Sequence, residues 1–189
     1  MTDRAIAEGV LGCPTCGAEY PVRDGVAIFG AGTAVARNYS IPPSMDRALR
    51  VAGLLSLGTQ SPGGVLLAGE WAVHADLILQ LVRVPLYLVD AAPALAGDAP
   101  VARLVVDDSL PLSAGSLRGA AFDQDAASPG RLADAVRALR PGGRLIAPAS
   151  LRVPPGMTEL ARDEDDWLAE RDPLQSAHVV LGRARAAQE

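Results

Sequence analysis

The sequence predicts an α/β fold, with a doubly wound sheet behind a small β module. Three observations predict it. Short all-apolar runs such as Val65-Leu66-Leu67-Ala68 and Leu86-Tyr87-Leu88-Val89 have the pattern of parallel strands buried on both faces. Helical stretches alternate with them, as in chained βα units. Near the N-terminus, Asp24-Gly25 separates two β-prone runs, which signals a tight hairpin because both turn positions need φ > 0.

The elements follow in order. Cys13-Pro14-Thr15-Cys16-Gly17 reads as a knuckle, Glu19 to Arg23 and Val26 to Phe29 as the hairpin strands, and Ala31 to Ser44 as a linker. Ser44 is placed to cap a helix from Met45 to Leu57 that stops at Gly58. Val65 to Ala68 is a strand, Ala72 to Val82 a helix, Leu86 to Val89 a strand ending at Asp90, and Ala102 to Val106 a strand ending at Asp107-Asp108. Gly119 to Phe122 is a fourth strand. Arg131 to Leu139 is an amphipathic helix, stopped by Pro141-Gly142-Gly143 before a strand over Arg144 to Ala147. Met157 to Glu170 reads as an acidic surface helix and His178 to Leu181 as a last strand. The boundaries expected are 1–30 for the β module, 31–60 for linker and helix, and 61–189 for the sheet domain.

Composition bounds the function. The 189 residues are 49% hydrophobic and 21% charged, which is enough for a core, but only 4% aromatic, so Leu, Val and Ala must build it. The net charge of -5 argues against a broad nucleic-acid surface. All 17 basic residues are arginine, which excludes Schiff-base, P-loop and catalytic lysines. Two cysteines make no disulfide framework. Neither a signal peptide nor a bilayer-spanning run is apparent, so a cytoplasmic protein off the membrane is the expectation.

In open α/β sheets, ligands bind beyond the carboxyl ends of the strands. Gly69-Glu70, Asp90 and Asp107-Asp108 stand at three such ends. An acid after the second strand can accept hydrogen bonds from ribose hydroxyls, and one after the third can face a base edge. Equally, strand ends are exposed and aspartate is common there. Trp167, within Asp163-Glu164-Asp165-Asp166-Trp167, reads either as an interface anchor or as a residue packing its helix onto the sheet while the acids are solvated. Arg131, Arg137, Arg140 and Arg144 read as a small basic strip or as isolated exposed arginines.

Leu139-Arg140-Pro141-Gly142-Gly143-Arg144-Leu145-Ile146 resembles the helix-turn-strand segment of class I S-adenosylmethionine-dependent methyltransferases. Val65 to Gly69 resembles that family's first strand, Leu88-Val89-Asp90 its second with its terminal acid, and Asp107 to Leu112 the acid and "L-P-F" after its third. From Ser61 onward the resemblance implies a reduced Rossmann-like sheet. It implies S-adenosylmethionine against Gly69, Glu70, Asp90, Asp107 and Asp108. The chain departs from the family in the glycine-rich loop, where Trp71 and Val73 replace glycines and the indole is expected to fill cofactor space. Arg118 stands where the family has a carboxylate before its fourth strand. The segment between the second and third strands is short. The expectation is a non-catalytic scaffold or regulatory partner; the alternative is an active methyltransferase that uses Glu70 for a family acid.

Cys13-Pro14-Thr15-Cys16-Gly17 and Tyr20-Pro21-Val22-Arg23-Asp24-Gly25-Val26 resemble the zinc-ribbon activator subunit of tRNA and protein methyltransferases. That family implies Cys13 and Cys16 as zinc ligands and a protein partner. Zinc takes about four ligands, and one knuckle supplies two. The others would come from a second copy, through self-association, or the ribbon has lost its metal. His74 and His178 lie in the other domain. A redox pair is disfavoured, because it needs its first cysteine at a helix N-terminus, whereas Gly17 and Tyr20-Pro21 lead into a strand.

Overall fold

The computed structural model describes residues 6–14, 16–30, 39–58, 62–91 and 101–173. Its strands are β1 (Gly9–Gly12), β2 (Glu19–Arg23), β3 (Val26–Phe29), β4 (Gly64–Ala68), β5 (Leu86–Val89), β6 (Val101–Val106), β7 (Leu117–Phe122), β8 (Leu139–Pro148), β9 (Met157–Arg162) and β10 (Asp166–Arg171). Its helices are α1 (Met45–Leu54), α2 (Ala75–Leu81) and α3 (Pro129–Ala138), with a 3-10 turn over Gly69–His74. Among the described residues no helix is long and apolar enough to cross a membrane.

The strands form one mixed sheet in the order β1-β2-β3-β6-β5-β4-β7-β8-β10-β9. Its centre, from β6 through β5, β4 and β7 to β8, is parallel. Counted from β4 the centre reads 3-2-1-4-5, the doubly wound order, so the sheet switches direction between β4 and β7. Alternation along β4 sorts the core. Val65 and Leu67 pack with Ala48 and Val51 of α1 and Ile78 of α2. Leu66 and Ala68 pack on the other face with Leu132 and Ala135 of α3. Period-2 strands with helices on both faces require this split.

Local signals set the helices. Ser44 caps α1, its side chain accepting the Arg47 N–H. Ser128 caps α3, accepting the Arg131 N–H at 3.1 Å, and Pro129 fits the first turn, where an N–H has no helical partner. Arg118 lies on β7, 6% exposed, and donates to Ser56 O at 2.6 Å and Gly58 O at 2.9 Å. It therefore secures the carbonyls beyond α1, where a basic side chain is favourable.

The N-terminal hairpin turns at Asp24 (φ 49°) and Gly25 (φ 71°). The knuckle closes with Gly17 N–H donating to Cys13 O at 2.9 Å. These strands join the main sheet, because β3 runs parallel to β6, from Val26 beside Arg103 to Phe29 beside Val106.

Three elements differ from the sequence reading. The single helix expected over Ala72 to Val82 is a 3-10 turn followed by α2, because Gly69 at φ 70° swings the chain sharply off β4. The strand after the Pro141-Gly142-Gly143 segment begins earlier, at Leu139, with a register shift against β7 between Leu117 and Gly119. The acidic helix expected over Met157 to Glu170 is an antiparallel pair, β9 and β10. Asp163 Oδ1 accepts the N–H groups of Asp165 and Asp166 at 3.0 and 2.8 Å, so the acidic run is an Asp-stabilised turn. Trp167, 1% exposed, donates from Nε1 to Leu151 O at 3.0 Å and is core rather than an interface anchor. The last strand expected, His178 to Leu181, lies outside the described residues.

Candidate functional site

Two clefts open beyond the carboxyl ends of the parallel strands. The smaller, about 200 Å³, is lined by Asp90, Asp107, Asp108, Ser128 and Arg131 among others. The larger, about 560 Å³, lies at the switch point, between the start of α1, the turn after β4, the end of β7 and the 163–166 turn. The smaller cleft gathers three acids that the sequence singled out. Glu70 lines the larger one.

In the smaller cleft the acids hold the fold's own groups. Asp90 adopts φ 56°, a left-handed conformation that Asp tolerates. Its carboxylate accepts the Val106 N–H at 3.2 Å and pairs with Arg131 Nη2 at 2.8 Å. The Arg131 guanidinium also donates to Val106 O, Asp107 O and Ala126 O at 2.7, 2.9 and 3.1 Å. Asp108 Oδ1 accepts the Ser128 hydroxyl at 2.5 Å. The Asp107 carboxylate sits against Gly30, where an added Cβ would lie 2.4 Å from Oδ2. The acids after β5 and β6 thus anchor α3 and the end of β3.

At the switch point the organising residue is Asp123, directly after β7. It accepts Glu70 N–H and Ala126 N–H, both at 2.7 Å. Burial raises its pKa, outweighing these hydrogen bonds, which lower it. Its carboxylate lies over Gly69, where an added Cβ would come within 2.1 Å of it. Glu70 itself pairs with Arg47 Nη1 at 2.7 Å. Sequence reasoning missed Asp123, although it ends a strand just as Asp90 does.

Trp71 does not fill the space over Gly69. Its indole is 4% exposed and packs in the apolar cluster beneath α1 and α2. Arg47 lies above its ring, 5.7 Å from the centroid. The basic strip is also dispersed. Arg131 serves Asp90, Arg137 bonds Leu112 O and Asp134, Arg140 bonds Pro62 O, and Arg144 bonds Glu170 and Leu54 O.

S-adenosylmethionine does not fit these residues as they stand. A ribose at Asp90 would have to displace a guanidinium from a nearly buried pair. The approach over Gly69 is taken by the Asp123 carboxylate. Zinc likewise lacks a ligand set beyond Cys13, which is half-buried, and Cys16, which is exposed. Among the described residues no three His, Cys, Asp or Glu side chains are grouped as metal ligands.

His74 links the turn after β4 to the start of α1. It is fully buried, and its Nδ1 accepts the N–H of Ser44, the α1 cap, at 3.2 Å. Burial lowers its pKa below 6.5, helped by Arg47 and opposed by Glu70. The unfolded chain therefore takes up this proton first as pH falls, so the site destabilises the fold below about pH 6.5 and not above it. Relative to a His74→Gln variant, the wild type should lose unfolding midpoint between about pH 7 and 5. Parallel pH profiles for the two proteins would contradict a neutral, buried His74.

No family model matches the sequence, and no curated protein matches it. Solved methyltransferase structures are similar to part of the chain. Geranyl diphosphate C-methyltransferase from Streptomyces coelicolor A3(2) is 15% identical over 54% of this chain and 43% of its own, with a TM-score of 0.45. Phosphoethanolamine N-methyltransferase 2 from Haemonchus contortus is 20% identical over 59% and 29%, with a TM-score of 0.42. A Corynebacterium glutamicum protein is 14% identical over 70% of this chain and 83% of its own, with a TM-score of 0.47. The chain spans less than half the length of the two named methyltransferases.

Proposed function

We propose that this chain is a non-catalytic, methyltransferase-like protein that acts as a scaffold or regulatory partner of another protein. One observation carries the reading. The groups that would receive S-adenosylmethionine are held by the chain's own side chains, Arg131 on Asp90 and Asp123 over Gly69. Both belong to the helix and strand that complete the fold, so clearing them for a ligand costs structure as well as contacts.

Calorimetric titration with S-adenosylhomocysteine tests it. The expected result is no saturable heat from folded protein at ligand concentrations on the order of 1 mM. Micromolar binding would overturn the reading. It would favour the alternative, an active S-adenosylmethionine-dependent methyltransferase, for which the gathering of Asp90, Asp107 and Asp108 in one cleft is the supporting observation.

A further inference from the structure

The sheet ends in two edges, β1 and β9, that are built differently. At one, β9 carries an ion pair between Glu159 and Arg162 at 2.8 Å, and its register against β10 shifts between Leu168 and Ala169. Charge and irregular register keep a sheet edge from pairing with another chain. At the other edge, β1 is Gly9-Val10-Leu11-Gly12, without a charge. Val10 is 61% exposed, and Ile6, just before the strand, is 56% exposed. This edge lacks the protection that β9 has, and its apolar side chains suit a surface that another chain covers.

The knuckle stands at the end of this same strand. Cys13 follows Gly12 directly, and two backbone hydrogen bonds hold the turn. Gly17 N–H donates to Cys13 O at 2.9 Å, and Cys13 N–H donates to Ala18 O at 2.8 Å. Gly17 takes φ 69°, the left-handed conformation that the turn requires. The cysteines are therefore carried on a fixed turn, with Cys16 exposed and neither in a disulfide. Two thiols at C-x-x-C spacing on such a turn are half of a tetrahedral thiolate site, in which zinc takes about four ligands at roughly 2.3 Å. The chain does not complete the site. Among the described residues no third His, Cys, Asp or Glu joins the pair. His74 is fully buried, with its Nδ1 accepting the Ser44 N–H.

The missing half has the composition of the half that is present. A two-fold axis through the metal turns one Cys13–Cys16 pair into another, so a second copy supplies the remaining ligands and closes the site. No described strand lies beyond β1, so a second copy can approach there, and its approach covers Ile6 and Val10. We infer that this chain dimerises at its β1 edge around one zinc ion, held by Cys13 and Cys16 of each copy. Each thiol gives up its proton as it ligates, so one Zn2+ and four thiols give a tetrathiolate and four protons. The inference is independent of the scaffold reading, because none of these residues lines the clefts beyond the parallel strands.

The test uses the full chain, stripped of metal and kept reduced with a phosphine. It is titrated with Zn2+ or Co2+ while its molar mass is followed by light scattering. One metal per two chains is expected, with the mass doubling as metal is added and returning to that of the monomer with a chelator. Co2+ should give the absorption of a tetrahedral thiolate site, and Zn2+ should abolish it by displacement. The unfolding midpoint of the zinc form should rise with protein concentration, because association stabilises the folded state. Cys16→Ser removes half of the ligands from the shared site. It should weaken zinc binding by more than about 100-fold, beyond the roughly 10–100-fold that loss of an outer-shell partner costs, and abolish the metal-dependent dimer. Cys16 is exposed, so the variant should keep the unfolding midpoint of the metal-free wild type, which separates lost metal from lost fold. One metal per monomeric chain, a dimer indifferent to both chelator and substitution, or no metal retained at micromolar Zn2+ would each overturn the shared site.

Discussion

Replacing Arg131 with alanine is expected to lower the free energy of unfolding by about 3–5 kcal/mol, the range for breaking one half of a buried ion pair. Arg131 and Asp90 are 2.8 Å apart, each side chain 12% exposed, so solvent screens them little. The guanidinium also holds three carbonyls, on Val106, Asp107 and Ala126. It is therefore the fastener between α3 and the ends of β5 and β6. Truncation leaves the Asp90 carboxylate with the Val106 N–H alone among the described residues. Urea unfolding would read the effect as a shifted midpoint at constant slope. Asp90→Asn placed in the Arg131→Ala background should recover part of the loss, because it removes the unpaired charge and keeps a residue that tolerates φ 56°. A loss under about 1 kcal/mol would place the pair among screened surface pairs. The argument that Asp90 is unavailable to a ribose would then fall with it.

The backbone of the fold was legible because its signals are local. Val65 to Ala68 and Leu86 to Val89 are strands where their apolar runs lie, the Asp24-Gly25 hairpin turns where two φ > 0 positions were expected, and Ser44 caps α1. The β9–β10 pair was not legible. Asp163-Glu164-Asp165-Asp166 has the composition of a solvated helix face, and only the hydrogen bonds of Asp163 to two following N–H groups reveal a turn. The alternation that marks β10, Trp167 to one face and Leu168 to the other, is too short to outweigh that acidity.

The site was half legible for a related reason. Strand-end acids can be found from sequence, and Asp90, Asp107 and Asp108 do converge on one cleft. What those acids do depends on groups that arrive from elsewhere in the chain. Arg131 looks like any arginine in the first turn of a helix until α3 packs and delivers it to Asp90. Asp123 reaches Glu70 across 53 positions of sequence. A glycine at 69 is consistent with a ligand passing close by, and equally with another part of the chain doing so. Sequence alone does not separate the two, but substitution does.

Gly69→Ala is therefore the informative change, with an expected loss of about 3–5 kcal/mol. A left-handed conformation at φ 70° costs a residue with a Cβ about 1–2 kcal/mol. The new methyl would also lie 2.1 Å from the Asp123 carboxylate, far inside van der Waals contact, so that carboxylate must move. Moving it gives up at least one of its hydrogen bonds, to Glu70 N–H or Ala126 N–H, and a hydrogen bond to a charged group is worth about 1.5–3 kcal/mol. The two contributions can be separated by a double-mutant cycle. In an Asp123→Ala background the collision is gone and only the backbone term remains, so Gly69→Ala should cost about 1–2 kcal/mol there. A coupling of about 2–3 kcal/mol, the difference between the two costs, would mean that Gly69 is small to admit the chain's own Asp123. Additive losses would mean that the glycine serves something other than Asp123. The room over the β4 turn would then not belong to Asp123, and a bound ligand would again be its best claimant.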